Sequence, residues 1–372
     1  MLFSFVSLLA RFLALATLSS AQTTTSSTSV CPSIVSDIPI LTTLSLTAEP
    51  TRTFYQFLPP AYTGGPSQSA LPVILSFHGA SRNATEQAGL DRFWDPVFQG
   101  STPYIVIYAE AHKTTWEGTP NIIDNDTGYT GNILDQINAS LSIDSERIFG
   151  SGKSDGAGFL NVLACDTSLE GRFAAFAPVS GAFYTFNDTT AGTPTESGGT
   201  CNPAVVDTDL YLSGDPPVSH ACTPTATVTL NGTPTVVSRV PPILEFHGGS
   251  DTTIPYNGGL GRDNFCLPTI PHWIQQWAAR DNLPVTNTTS AITSEATAFI
   301  FGSGTTDGLV MHVFDGPDVS HSWPATFLND DNQPPGCGPF GGGDGNGDGP
   351  ASFNATPMII SFFNEWPRTR LT

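Results

Sequence analysis

The stretch Glu146-Arg-Ile-Phe-Gly-Ser-Gly-Lys-Ser-Asp-Gly-Ala-Gly158 decides the fold, because it places a Gly-x-Ser-x-Gly pentapeptide between an apolar strand and an apolar helix. Residues 148–149 end the predicted strand, and the apolar side chains of residues 159–163 recur at a spacing that buries one helix face. A strand-to-helix elbow forces its serine onto a sharp turn that needs small residues on both sides. Ser154 is therefore a candidate nucleophile, and a glycine-rich surface turn is the alternative.

The same stretch also contains Gly152-Lys153-Ser154, the end of a phosphate-binding P-loop pattern. That pattern needs another glycine five positions before Gly152, and Arg147 stands there. The sequence therefore argues against nucleotide binding at this turn.

The N-terminal residues predict a secreted protein. Residues 1–21 combine a mostly apolar run with small residues at a cleavage site, as a secretory signal does, and the run is too short to span a bilayer. Residues 22–30 are rich in Ser and Thr and predict a flexible lead-in. Residues 31–372 are expected to form a single catalytic domain.

Cysteines and glycosylation sequons agree with export. Six cysteines predict three disulfides, and their fifteen possible pairings stay open. No Cys-x-x-Cys spacing occurs, so cysteine is not expected to bind a metal. The cysteines are Cys31, Cys165, Cys201, Cys222, Cys266 and Cys337, and the sequons begin at Asn83, Asn125, Asn138, Asn187, Asn231, Asn287 and Asn354.

The formal charge of -20, from 13 basic and 33 acidic residues, predicts a surface that repels nucleic acid and anionic membranes. Neutral or weakly charged substrates fit this surface better. Solubility alone and work in acidic surroundings are equally good reasons for the charge.

Apolar runs alternate with helical patterns along the chain, which predicts an α/β fold: a mainly parallel sheet with helices on both faces. The predicted strands are 52–58, 71–78, 104–110, 147–151, 173–179, 243–247 and 309–314, and the predicted helices are 127–141, 154–165, 270–280 and 356–366.

Two segments fall outside this alternation. Residues 186–239 are rich in Thr, Pro and Gly and are expected to form an irregular insertion pinned by disulfides. Residues 334–350 contain Asp344-Gly-Asn-Gly-Asp-Gly349, which copies the start of a calcium loop, but position twelve is Ala355 instead of Glu. A flexible glycine loop is the better interpretation, and no metal is expected.

Chain order identifies partners for the serine. An α/β-hydrolase presents Ser, acid and His in that order, each after a strand. Asp251 follows the predicted strand 243–247, and His321 lies on the loop after strand 309–314. Asp315 and Asp318 are rival acids, but they are too close to His321 to follow a separate strand. The six other histidines lack the right order or the right loop.

Two backbone amides are expected to form an oxyanion hole. One belongs to Asp155, directly after the serine, and the other to Ala80, in the loop after strand 71–78. An ordinary strand-ending turn is the alternative for Ala80.

Several motifs together resemble secreted fungal feruloyl esterases, which are relatives of polyhydroxybutyrate depolymerase-like esterases in the α/β-hydrolase superfamily. The similarity runs from about residue 50 to the end. The motifs are Gly152-Lys-Ser-Asp-Gly-Ala-Gly-Phe159, Leu163-Ala-Cys-Asp166, Arg172-Phe-Ala-Ala-Phe-Ala-Pro-Val-Ser-Gly-Ala-Phe183, Leu244-Glu-Phe-His-Gly248, Ile254-Pro-Tyr256, Leu267-Pro-Thr-Ile-Pro-His-Trp273 and Phe353-Asn-Ala-Thr-Pro357.

The resemblance implies the α/β-hydrolase fold and a catalytic triad of Ser154, Asp251 and His321, with Trp116 as an aromatic that lines the site. The family usually has Asn where Asp155 stands, and His-Asp-Trp-Pro where this chain has His-Ser-Trp-Pro from residue 321. We expect the extra carboxylate beside the nucleophile to disfavour an oxyanion and to lower the pH optimum.

The resemblance also implies an activity: release of ferulic or related hydroxycinnamic acids from feruloylated polysaccharide or oligosaccharide, without a cofactor. An acetylxylan esterase and a polyester depolymerase are alternatives that share the chemistry and differ in the acyl pocket. A noncatalytic binding protein on a hydrolase scaffold is a further alternative, although such proteins usually lose a triad residue.

Overall fold

Six parallel strands form the centre of the described part of the protein, and antiparallel strands extend this sheet at both edges. The computed structural model describes residues 39–368 except 40, 47–50, 61, 63–67, 123, 167, 170, 186–200, 209, 214–217, 223–224, 231–232, 239–240, 335–336 and 338–346. The strands are β1 (Thr42–Ser45), β2 (Thr53–Phe57), β3 (Leu71–Phe77), β4 (Ile105–Ala109), β5 (Ile143–Lys153), β6 (Ala175–Val179), β7 (Leu210–Ser213), β8 (Val218–Ala221), β9 (Thr225–Leu230), β10 (Thr233–Ser238), β11 (Ile243–His247), β12 (Gly259–Leu260), β13 (Cys266–Leu267), β14 (Thr288–Ala291), β15 (Thr297–Phe301) and β16 (Val310–Phe314).

The large sheet has the order β1-β2-β4-β3-β5-β6-β11-β16-β15-β14, and every pairing from β4 to β16 is parallel. In parallel strands the carboxyl ends meet at one edge of the sheet, where the strands lead into loops and helices. Strands β3, β5, β11 and β16 therefore deliver the residues that follow them to the same edge.

Helices cover both faces of this sheet because its central strands are apolar on both faces. Val73, Leu75 and Phe77 of β3 pack with the core on one face, whereas Ile74 packs with the core on the other. The helices are α1 (Ala84–Asp91), α2 (Pro96–Gln99), α3 (Asp126–Ser140), α4 (Asp155–Cys165), α5 (Ile270–Arg280) and α6 (Ala355–Glu365). None of the described helices has the length and apolarity needed to cross a membrane.

The last helix closes one face of the sheet. Phe363 of α6 stacks on Phe149 of β5 with ring centroids 4.5 Å apart, and Phe353, just before α6, stacks on Phe246 of β11. The Tyr104 hydroxyl donates to the side-chain oxygen of Asn364 at 2.8 Å. Helix α6 thus joins strands from early and late parts of the chain.

The mainly parallel α/β sheet is confirmed, and all seven predicted strands and four predicted helices are present with shifted ends in most cases. Strand β11 and helix α5 have the predicted ends. The additional elements are α1, α2, the antiparallel strands β1, β14 and β15, and the short strands β7, β8, β9, β10, β12 and β13.

The segment predicted to be an irregular insertion contains two antiparallel hairpins in its described residues, β7–β8 and β9–β10. Turn-rich composition had hidden their short β-branched runs. Disulfides pin this segment as expected, one joining Cys165 at the end of α4 to Cys222 and the other joining Cys201 to Cys266 of β13. Disulfides fit an extracellular protein.

The predicted signal peptide at residues 1–21 and the lead-in at 22–30 lie outside the described residues, as does most of the calcium-like loop. Three predicted sequons coincide with helix starts, at Asn83, Asn125 and Asn354. The side chain of Asn83 caps α1 by accepting hydrogen bonds from two backbone amides in the first turn, and that of Asn125 caps α3 by accepting one.

Candidate active site

Ser154 occupies the turn between β5 and α4 with φ 57° and ψ -120°, a left-handed conformation that is uncommon for a non-glycine residue. Its amide donates to the carbonyl of Val179 on β6 at 3.0 Å, and its carbonyl accepts from the amides of Gly158 and Ala182. These backbone hydrogen bonds hold the serine on a sharp elbow at the carboxyl edge of the sheet.

Close backbone contacts explain the glycines around the serine. A Cβ atom at Gly156 would lie 2.4 Å from the carbonyl oxygen of Phe77, and one at Gly158 would lie 2.3 Å from the carbonyl oxygen of Ala182. Neither contact leaves room for a side chain. The elbow predicted from the pentapeptide is present, and its glycines let α4 begin close against β3.

Asp251 and His321 are hydrogen-bonded to each other. The loop after β11 carries Asp251 and the loop after β16 carries His321, and the His321 Nδ1–H donates to the Asp251 Oδ2 at 2.7 Å. The other carboxylate oxygen accepts from the amides of Thr253 and Ile254. The orientation of Asp251 is therefore fixed from both sides, and the second ring nitrogen of His321 keeps its lone pair.

Burial and neighbouring charges set the protonation of this pair. Burial would raise the pKa of Asp251, but hydrogen bonds from His247 and His321 outweigh it and hold the pKa well below its usual range. Burial, assisted by the Lys153 ammonium, lowers the pKa of His321. The arrangement is an ionised acid beside a neutral base.

The rival acids lie elsewhere. Asp315 is buried, and neither of its carboxylate oxygens has a hydrogen-bond partner within the described part of the chain. Burial, together with the nearby Glu245 and Asp251 carboxylates, raises the pKa of Asp315 well above its usual value. Asp318 is exposed to solvent. The carboxylate that contacts His321 is the one that chain order selects.

Ser154 and His321 line a common cavity of about 610 Å³. The cavity also includes Ala80 and Asp155, whose amides are predicted to hold an oxyanion. The loop after β3 comes close to the serine, because a Cβ atom at Gly79 would lie 3.3 Å from the Ser154 Cβ. The chain thus brings together the residues predicted for the triad and the oxyanion hole.

The Asp155 carboxylate is paired, which corrects the expected unfavourable charge beside the nucleophile. Its Oδ2 accepts from the Arg262 guanidinium at 2.7 Å and from the Thr115 hydroxyl at 2.6 Å. Arg262 lies on the loop between β12 and β13, and its side chain is 39% exposed. Sequence could not reveal this ion pair, since its members are far apart in the chain.

Trp116, which was predicted to be a substrate-binding aromatic, is not among the residues that line this cavity. The indole is fully buried between Phe77 and Phe159. Its Nε1–H donates to the carbonyl of His78 at 2.7 Å, directly before the predicted oxyanion loop. The Trp116 side chain therefore stabilises that loop through this hydrogen bond, and it lies near the site without facing the cavity.

Lys153 anchors the loop that carries His321. The Lys153 ammonium donates to the carbonyl of His321 at 3.1 Å and lies 3.2 Å from the Asp331 carboxylate. That carboxylate also accepts from the amide of Trp323 at 3.0 Å. The lysine of the rejected P-loop pattern therefore has a structural partner in the site.

Behind Asp251 lies a buried polar group that sequence reasoning passed over. Glu245 and His247 belong to β11, and His312 of β16 is the register partner of Glu245. A glutamate inside an otherwise apolar central strand was the available signal, because buried charges need partners. Among the described residues, no cluster of three or more His, Cys, Asp or Glu is arranged to hold a metal ion.

The chain is similar in structure to solved esterases. An acetyl xylan esterase from Aspergillus awamori has a similar structure, with a TM-score of 0.50 and 17% identity over 76% of this chain and 94% of that chain. A ferulic acid esterase matches with a TM-score of 0.34 and 17% identity, over 40% of this chain and 62% of the other.

In sequence, a bifunctional acetylxylan esterase/xylanase from Neocallimastix patriciarum is 30% identical over 114 residues, which is 30% of this chain. The matched part is 16% of that relative's length. No protein-family model matches the chain. The strand order, the elbow after β5 and the similarity to the Aspergillus enzyme together show that this chain has the α/β-hydrolase fold.

Proposed function

We propose that this chain is a secreted serine esterase that releases ferulic or related hydroxycinnamic acids from plant cell wall polysaccharide. The observation that carries the proposal is the cavity shared by the Ser154 elbow and the His321–Asp251 hydrogen bond. A serine on an elbow, a neutral imidazole and an ionised carboxylate are the parts that acyl transfer to serine requires.

In the proposed mechanism the Ser154 Oγ attacks the ester carbonyl, and the His321 Nε2 accepts the hydroxyl proton. Asp251 orients the imidazole and stabilises the imidazolium. The amides of Ala80 and Asp155 hold the oxyanion. The proton passes to the departing alcohol oxygen, and water then releases the acid from the acyl-serine by the same steps.

The cavity lining contains both apolar and polar groups, which supports an aromatic acyl group joined to a sugar. Tyr184, Ile254 and Leu260 supply apolar lining, and Leu260 is 60% exposed to solvent. An aromatic ring gains contact energy on such a surface.

Arg82, Glu86 and Asp330 lie close together and form a polar side of the cavity lining. Carboxylates are acceptors for the hydroxyl groups of a sugar. One Asp330 oxygen is buried without a partner among the described atoms. We assign this side to the sugar and the apolar side to the acyl group.

An acetylxylan esterase is the second candidate, because the sequence relative from Neocallimastix carries that activity in its name. An acetyl group needs little of the apolar side. Initial rates on feruloylated arabino-oligosaccharide, acetylated xylan and a polyester, each at matched ester concentration, separate the candidates.

Leu260→Ala gives the sharper comparison. We expect it to lower kcat/KM for the feruloyl ester about tenfold, since roughly 1 to 2 kcal/mol of apolar contact is lost, and to leave acetyl release unchanged. Equal losses on both esters would contradict the feruloyl assignment. No turnover of any ester, including a generic aryl ester, would reject the esterase.

A further inference from the structure

His247 lies at the carboxyl end of β11, fully buried behind the proposed catalytic acid. Its Nδ1 is 2.9 Å from the Glu245 Oε1, and its Nε2 is 2.8 Å from the carbonyl oxygen of Ile254. The same Nε2 is 3.3 Å from the Asp251 Oδ2. Both ring nitrogens therefore face oxygen atoms that have no proton to give while the two carboxylates are ionised.

A neutral imidazole cannot satisfy this arrangement. It has one N–H donor and one lone pair, so one nitrogen would direct its lone pair at an acceptor oxygen. In the Nδ1–H tautomer the lone pair meets Ile254 and Asp251, and in the Nε2–H tautomer it meets Glu245. An imidazolium donates from both nitrogens and removes the conflict in either direction.

We propose that Glu245, His247 and Asp251 form a buried ion triad in which His247 remains an imidazolium during turnover and acts as a positioning residue for the Asp251–His321 pair. The positioning role in this inference rests on the proposed esterase function, because it is measured through the kinetics of ester hydrolysis. The ion triad itself is a property of the folded chain.

The groups around His247 support a positive charge there. Burial would lower the pKa of His247, but hydrogen bonds to Asp251 and Glu245 outweigh it and raise the pKa to about 10. Burial would also raise the pKa of Glu245, yet His312 and His247 together lower it. Asp315 approaches from the loop after β16, and burial raises its pKa well above the usual value, which favours its neutral form.

The neighbouring rings complete the arrangement. The Nδ1–H of His312 donates to the Glu245 Oε2 at 2.6 Å, and its Nε2 lies 3.0 Å from the Tyr256 hydroxyl, which donates to it. The Tyr256 ring packs edge-on to the His247 ring with centroids 6.1 Å apart. Glu245 thus has a separate partner for each of its oxygens.

The charges of the triad fit the catalytic cycle. In the resting enzyme Glu245 and Asp251 are negative and His247 is positive, which leaves one net negative charge beside His321. When His321 takes the serine proton, its positive charge balances the cluster. Without His247, two carboxylates would be buried behind a neutral base, and a proton on Asp251 would weaken its hold on His321.

The direct test is a spectrum. In protein labelled with ¹⁵N-histidine at pH 8, we expect one imidazole with both ring nitrogens protonated and slow to exchange. That signal should vanish in His247→Gln and persist in His272→Gln, which changes a histidine bonded to the Val206 carbonyl on the outer side of α5. A spectrum in which every histidine ring is neutral at pH 8 would overturn the proposed ion triad.

Glu245→Gln provides a second variant that does not depend on replacing His247. It keeps an acceptor oxygen near Nδ1 and removes one charge, so the imidazolium signal should disappear at a pH lower than in the wild type. An unchanged titration would show that Glu245 does not hold the charge.

Kinetics on a generic aryl ester test the positioning role. We expect His247→Gln to lower kcat about 100-fold through loss of geometry. Loss of a nearby positive charge raises the proton affinity of the Asp251–His321 pair, so the acid limb of kcat/KM should move up by about one pH unit. The double variant Glu245→Gln/His247→Gln should bring the limb back towards the wild-type pH while kcat stays low.

A slower His247→Gln enzyme with an unmoved acid limb would show a packing role only and overturn the positioning role. Failure of the esterase proposal is distinct from either result. It would appear as wild-type protein without turnover, in which the ¹⁵N spectrum still decides whether the triad exists.

Discussion

Two histidines occupy equivalent places in the sheet and differ in charge: one is neutral and the other is a cation. His78 directly follows β3, His247 ends β11, and each precedes a glycine at the carboxyl edge of the sheet. The Nδ1–H of His78 donates to the Gly79 carbonyl at 2.7 Å, and its Nε2 accepts from the Ala111 amide at 3.1 Å. Burial lowers the pKa of His78 to about 4.

The comparison teaches that partners decide the charge of a buried histidine, and burial alone does not. A donor on one nitrogen and an acceptor on the other keep His78 neutral, while oxygens at both nitrogens make His247 a cation. The strand end that leads to the oxyanion loop is therefore uncharged. The strand end that leads to Asp251 is an ion cluster.

Ser154→Ala tests whether chemistry takes place between these two strand ends. The change removes one oxygen from a turn already accessible to small side chains, so the fold and both histidine environments should stay unaltered. We expect the turnover rate on an aryl ester to fall by about 10⁶, as it does for other catalytic serines. The smallest loss consistent with the assignment is about a thousandfold. Activity near the wild-type level, with an unchanged circular dichroism spectrum, would remove Ser154 from the mechanism.

Asp251→Asn should impair only the part of the site that follows β11, where the ion cluster lies. An Asn side chain in contact with His321 favours the wrong tautomer, which costs about 10⁴ in kcat in the serine protease precedent. Asp315→Asn is the matched control, because burial raises the pKa of this carboxyl and it does not contact His321, so its replacement should change kcat by less than about threefold. Asp318→Asn should be neutral too. A severe Asp315 or Asp318 variant would reverse the assignment of the acid.

Arg262→Gln should leave an unpaired charge in the part of the site near the oxyanion loop, where His78 is neutral. The Asp155 carboxylate would lose its cation next to the forming oxyanion, and we expect kcat/KM to fall about tenfold. Arg262→Lys keeps the charge and should lose less. Asp155→Asn/Arg262→Gln should recover most of the rate, so a double variant as slow as Arg262→Gln would assign the loss to substrate contact.

The last prediction concerns stability, whose change with pH has opposite sign at the two histidines. The folded pKa of His78 lies below the unfolded value of about 6.5, so it costs stability as pH falls from 6.5 towards 4. The folded pKa of His247 lies above it, so its contribution is complete below 6.5 and is lost as pH rises towards 10. Each slope is about 1.4 kcal/mol per pH unit.

Denaturant unfolding from pH 4 to pH 10 measures both slopes. Subtracting the unfolding free energy of His78→Gln from that of the wild type at each pH should isolate the loss of stability at acidic pH. The same subtraction for His247→Gln should isolate the loss at alkaline pH. If the unfolding free energy changed with pH in the same direction at both histidines, the assignment of a neutral His78 and a cationic His247 would be contradicted.

Much of this site could be predicted from the sequence because it follows local rules. The pentapeptide around Ser154 needs an elbow, and chain order after apolar strands was enough to select Asp251 and His321. The ends of β11 were predicted because its run, which is apolar except for Glu245 and His247, stops at a glycine. Local pattern and parallel topology together locate the carboxyl edge of the sheet.

Other features depend on contacts that no local pattern encodes. Helix α1 buries the polar side chains of Gln87 and Asp91, so its apolar periodicity is weak. The edge strand β14 is exposed throughout and shows no alternation. Arg262 reaches Asp155 only after the disulfide-pinned loop has folded, and Trp116 turned inward to the His78 carbonyl instead of outward to the cavity.

The stack of Phe363 on Phe149 also affects how the protein is made. Translation releases β5 long before α6, so the sheet face beneath α6 stays open while most of the chain is synthesised. Parallel strands distant in sequence pair slowly, which prolongs that exposure. We therefore expect the nascent chain to depend on chaperones, and substitutions at the Phe149–Phe363 contact to reduce the yield of folded protein more than the activity of each folded molecule.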